Sequence, residues 1–187
     1  MSSLINNKKV NKTQKKAFID SIVQALVKLD KALSPRARRS SGVTSEALPE
    51  IPISGSQLKA MYTDFIKKFI EVGELEDNVF VYSVALAKKV VHEATKDYAF
   101  KKGEFILIYS ACLYLSIKML IDEERWFLAD FSYVSGLEES HIEKMELFVL
   151  SDILKFSPKL SDEVFAKEKK ELMRQRRRNS GVSVSSQ

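Results

Sequence analysis

From residue 54 onward apolar positions recur every three or four residues, and no stretch alternates with period two for long. That spacing lays an apolar stripe along each of a series of helices and predicts an all-α chain. The first, QLKAMYTDFIKKFIEV (57–72), is apolar at Leu58, Met61, Phe65, Ile66 and Phe69. Ser54 and Gln57 form a capping box before it, and Gly73 suits its end. A second helix starts near Asp77 and runs through VFVYSVALAKKVVHEAT (79–95). A third, from about Lys102 to Ile121, is apolar on nearly every face, so it is the one predicted to be buried at the centre. A fourth covers ERWFLADFSYVS (124–135). SGLE (135–138) reads as a second capping box opening a fifth, EESHIEKMELFVLSDILKF (138–156), which stops before Pro158. A sixth, SDEVFAKEKKELMRQRRR, begins at Ser161.

Upstream, TQKKAFIDSIVQALVKLDKAL carries Phe18, Ile22, Leu26, Leu29 and Leu33 on one helical face. The chain therefore divides into a polar, disordered tail (1–12), an amphipathic helix (13–34) and a flexible Ser/Pro/Arg linker (35–53). A five-helix domain (54–158), a C-terminal helix (159–176) and a second disordered tail (177–187) follow. Five helices of this length, with the most apolar in the middle, suffice to bury one core.

The 187 residues allow one ordinary domain, and 45% apolar with 29% charged residues is a globular balance. Charge is unevenly placed. Residues 1–40 carry ten Lys/Arg against two Asp/Glu, residues 41–165 thirteen against twenty-one, and residues 166–187 seven against two. The basic character sits in the ends while the domain is acidic, which argues against nucleic acid lying on the domain. The lone Cys112 lies inside an apolar run and reads as an inert buried thiol; with only His92 and His141 beside it, a zinc site is not expected. The N-terminus lacks a signal-peptide core, and no apolar run reaches membrane-spanning length, so cytoplasm or nucleus is the expected location.

No Gly-rich phosphate loop, H-E-x-x-H, C-x-x-C or G-x-S-x-G occurs. The carboxylates Asp122, Glu123 and Glu124 fit a solvated helix junction better than acid–base catalysis. The chain reads as a binding module, not an enzyme, with no cofactor and no small-molecule substrate. Ser41 and Ser180 each follow paired arginines by two positions, and Ser34 precedes Pro35, so all three are candidate phosphorylation sites.

One position asks for a partner: Lys118 ends the apolar third helix, in SIKMLIDEE. Residues 58–156 resemble a cyclin box, the five-helix repeat of cyclins, in the order of three motifs. LKAMYTDFIKKFIEV resembles the first box helix, KKGEFILIYSACLYLSIKMLIDEE the buried third, and FLADFSYVSGLEESHIEKMELFVLSDILKF the fourth and fifth. The resemblance implies a regulatory subunit that binds a cyclin-dependent protein kinase and holds its regulatory helix in the active position. It also implies that Lys118 pairs with Glu146 at the kinase-binding face, beside apolar Met119 and Leu150. Leu58, Met61, Tyr62 and Phe65 stand where cyclins carry a substrate-docking patch, although the residue types differ. The run from Glu146 to Phe156 is one residue longer than in common cyclins. With no room for a second box, the chain is most similar to single-box cyclins, such as the phosphate-pathway and Y-type cyclins and the neuronal kinase activators. The alternative reading is a cyclin-fold adaptor or transcription-associated protein that binds DNA or peptides without a kinase.

Overall fold

A computed structural model describes residues 2–33, 54–97, 105–121 and 126–180, with side chains from residue 13 in the first segment and up to residue 94 in the second. Among these the chain is all-helical: α1 (Ser2–Leu33), α2 (Gly55–Glu71), α3 (Asp77–Asp97), α4 (Phe105–Leu120), α5 (Leu128–Ser135), α6 (Glu139–Leu147) and α7 (Asp162–Asn179). A π-helical segment, Phe148–Ile153, continues α6. No helix is long and apolar enough to cross a membrane among the described residues.

The core forms around α4, whose residues from Ile108 to Ile117 are all buried. It packs mainly against α3 and α6. An apolar helix can occupy that place only if its few polar groups are satisfied inside. Ser110 and Ser116 donate to the backbone carbonyls of Leu107 and Cys112, and the Tyr109 hydroxyl lies 2.9 Å from Ser83 Oγ on α3. Aromatic rings join α2, α4 and α5: Phe131 lies 4.9 Å from both Phe69 and Tyr114, centroid to centroid.

α2 begins as its sequence dictates. Gln57 N–H donates to Ser54 Oγ, and Ser54 N–H donates to Gln57 Oε1, which satisfies two donors that helix geometry leaves open. Gly73, after its end, is required by crowding. A Cβ there would come within 2.6 Å of the Trp126 indole and 2.8 Å of the Phe69 carbonyl.

The amphipathic face of α1 packs against α2, α3 and α7, burying Phe18, Ile22 and Leu26. The helix begins at Ser2, where residues 1–12 were expected to be a disordered tail. That stretch has neither Pro nor Gly, and extending an existing helix needs no new nucleus. At the other end, Arg177–Asn179 belong to α7 and not to a tail. The linker at 35–53 and residues 181–187 lie outside the described residues.

Three expected boundaries differ. SGLE is not a capping box: Gly136 takes the left-handed region (φ 73°) and ends α5. Ser135 Oγ accepts from Leu137 N–H and donates back to the Ser132 carbonyl, so it cannot cap α6, which starts from an extended Glu138. The fourth helix starts at Leu128 rather than at 124. Trp126 is instead drawn onto Phe69, and the Asp130 carboxylate caps α5 by accepting from Phe127 N–H. The fifth helix is not uniformly α, because its second half is the π segment.

Candidate functional site

Lys118 occupies the last turn of α4, where the carbonyl end of the helix favours a cation. Its ammonium donates to both carboxylate oxygens of Glu146 on α6, at 2.7 and 2.9 Å. The lysine side chain is 46% exposed and the glutamate 15%, so the pair lies at the surface with the carboxylate turned inward. The ammonium also stands 4.4 Å from the centroid of the Tyr114 ring, one turn back on α4. Burial raises the Tyr114 pKa above its ordinary value; Lys118 opposes that, while Glu146, Glu143 and Glu139 add to it. A lysine held between a ring and a carboxylate has little rotational freedom left to lose, and both groups retain capacity for further hydrogen bonds.

Met119 follows on α4, 39% exposed, with its sulfur 3.6 Å from the Tyr82 hydroxyl. Leu150 sits half-buried in the π segment, against the core formed by Val149 and Ile153. Leu147, next to Glu146, is 61% exposed. A π turn closes its hydrogen bonds over five residues instead of four, as Leu154 N–H to the Val149 carbonyl does here, and so houses one extra residue.

Leu58, Tyr62 and Phe65 do not form an open docking patch: all three are buried, and Met61 is half-buried. α1 packs on α2 and receives the Tyr62 hydroxyl on Asp30 Oδ2 at 2.8 Å, while the Tyr62 ring packs on Phe105 and the Phe65 ring on Tyr109, both of α4. Ser180 ends α7, half-buried, its hydroxyl donating to the Arg177 carbonyl. Ser34, Ser41 and the carboxylates 122–124 lie outside the described residues. Among those that are described, no group of three His, Cys, Asp or Glu is placed to hold a metal ion.

Sequence reasoning missed two features. Tyr114 was legible from its four-residue spacing to Lys118, which places both on one helix face. Lys88 on α3 bridges Glu168 (2.7 Å) and Glu171 (3.2 Å) of α7, and no local signal marks a pair eighty positions apart. No protein-family model matches the chain, and no curated protein aligns with it.

Proposed function

We propose that this chain is a cyclin-like regulatory subunit that binds a cyclin-dependent protein kinase. The observation that carries the reading is the Lys118–Glu146 pair: two residues from separate helices, matched to the family's kinase-contacting pair, held together at the surface beside Met119 and Leu147. Apolar side chains at the centre with a charged pair beside them suit a protein interface. In this reading the pair meets main-chain groups around the kinase's regulatory helix, and Met119 and Leu150 supply the apolar contact. Binding the inward position of that helix better than the outward one shifts the kinase toward its active arrangement. The chain supplies a surface, and the catalysis belongs to the kinase.

The test is co-purification with cyclin-dependent kinases of the same organism, comparing wild type with Lys118→Ala and Glu146→Ala variants of unchanged helical content. Capture and activation of a kinase, abolished by either substitution, is the expected result. Capture unaffected by both would mean that the pair is not the contact. Absence of any captured kinase would favour the adaptor reading.

A further inference from the structure

Along α7 the stretch AKEKKELMRQRRR (166–178) mixes both signs of charge, and the fold sorts them. Glu168 and Glu171 are taken by Lys88 of α3. Arg176 is half-buried, bonded to Asp77 and 5.6 Å from the Phe18 ring centroid, and Lys169 lies over the Phe165 ring. What remains toward solvent is a row: Lys167, Lys170, Arg174, Arg177 and Arg178, all exposed. Steps of three or four residues put them on one helix face. None of the five forms an ion pair among the described residues. Asp162 and Glu163 stand in the first turn, ahead of the row.

Neighbouring segments do not neutralise it. α1 packs against α7, but the sequence has no acid before Asp20, and Lys15 and Lys16 are exposed. Residues 179–187 carry no acid either. Glu71, Glu74, Glu76 and Asp77 share a concavity with Lys15 and Arg176. Arg176 is two positions from Arg174 and Arg178, so that concavity is on the other side of α7 from the row.

Like charges fixed on a supported helix repel one another, and a polyanion relieves that while releasing its own counterions. The row runs eleven residues, about 16 Å along the helix. Over that length one strand of a duplex presents about five phosphates along its axis. Three of the five cations are arginines, whose forks hold phosphate oxygens in pairs. No aromatic or large apolar side chain stands in the row to stack on unpaired bases or to enter a bilayer. We infer that α7 lies along the phosphate backbone of duplex nucleic acid without reading its sequence. Because α7 alone carries the row, the acidic domain need not accept the polyanion. The contact is independent of the kinase reading, since neither Lys118 nor Glu146 lies on α7.

The probe is a fluorescein-labelled DNA duplex of about two helical turns, followed by anisotropy as the full chain is added at several salt concentrations. The expected result is saturable binding, equal for two duplexes of unrelated sequence, with log affinity falling against log salt at a slope of about −4. Lys170→Gln/Arg174→Gln and Arg177→Gln/Arg178→Gln, each checked for unchanged helical content, should each make that slope shallower by about two units. Lys59→Gln/Lys67→Gln, a charge-matched pair exposed on α2, should bind as wild type does. Equal weakening by the α2 pair would reduce the effect to net charge and overturn the proposal. Slopes unchanged in both α7 variants, discrimination between the two duplexes, or no saturable binding would overturn it too. Polyglutamate bound more tightly than the duplex would assign the face to an acidic protein segment. Capture by phosphatidylserine vesicles without binding to the duplex would assign it to a membrane surface, and either result overturns the proposal.

Discussion

The Tyr62 hydroxyl donates to the Asp30 carboxylate across 2.8 Å, and both residues are buried where α1 meets α2. This bond makes α1 part of the domain. Tyr62→Phe keeps the ring but withdraws the donor from a buried carboxylate, and should lower stability by about 1–3 kcal/mol in urea unfolding. Removing residues 2–33 would uncover Leu58 and Tyr62 together; the expected outcome is loss of fixed aromatic packing, read by near-ultraviolet circular dichroism.

The Lys118–Glu146 pair should behave differently. With the lysine half-exposed, Lys118→Ala should cost less than about 1 kcal/mol of stability. A double-mutant cycle with Glu146→Gln in thermal unfolding would measure the coupling. A coupling of several kcal/mol would mean that the pair holds α4 to α6 rather than waiting for a partner.

Lys88 is the stronger structural cation. Burial alone would lower its pKa, but hydrogen bonds and charge from Glu168 and Glu171 outweigh that and raise it above the ordinary value. A raised lysine stabilises the fold fully below the ordinary range near about 10.4, and the contribution is lost as pH rises through the folded value. Lys88→Met leaves the buried Glu168 without its cation. After discounting for the lysine's partial exposure, the expected loss is about 1–3 kcal/mol, with α7 the first element to exchange its amide hydrogens.

Burial also pushes the Tyr62 and Tyr109 phenols and the Cys112 thiol upward. The fold favours their neutral forms, so stability is full below their ordinary pKa values and falls as the pH rises past them. Alkaline titration followed by tyrosinate absorbance should show Tyr62 and Tyr109 ionising only together with unfolding. Cys112 should resist a thiol reagent until the same transition.

Gly73→Ala would press a methyl group to 2.6 Å from Trp126 and 2.8 Å from the Phe69 carbonyl. The carbonyl cannot yield without disturbing the end of α2. The expected cost is about 1–3 kcal/mol, with altered Trp126 emission marking the indole's displacement from Phe69.

Much of this was legible in the sequence because periodicity reports burial. The stripe at Phe18, Ile22 and Leu26, the all-round apolar character of α4 and the Ser54 cap each express a local rule, and each appears in the fold. Boundaries failed where another contact outbid the pattern, a tertiary one in the first case and a local one in the second. Trp126 looked helical but is held by Phe69, and Ser135 looked like a cap but is engaged by its own helix. The Leu58–Phe65 stripe gave its burial correctly and its partner not at all. Periodicity says that a face is covered without saying by what, and here the cover is α1 together with α4.

The π segment at 148–153 has one more consequence. In an α-helix each residue advances about 100° around the axis, so an added residue would ordinarily rotate everything after it. Here the wide turn absorbs that rotation, and the chain beyond it returns to α3, where Lys89 donates to the Ser157 carbonyl at 2.6 Å and the Tyr82 hydroxyl accepts from Leu160 N–H at 3.1 Å. The segment thus works as a gear. It lets the surface carrying Glu146 and Leu147 be set in one phase and the anchor at residues 157–160 in another, so either can change without turning the other.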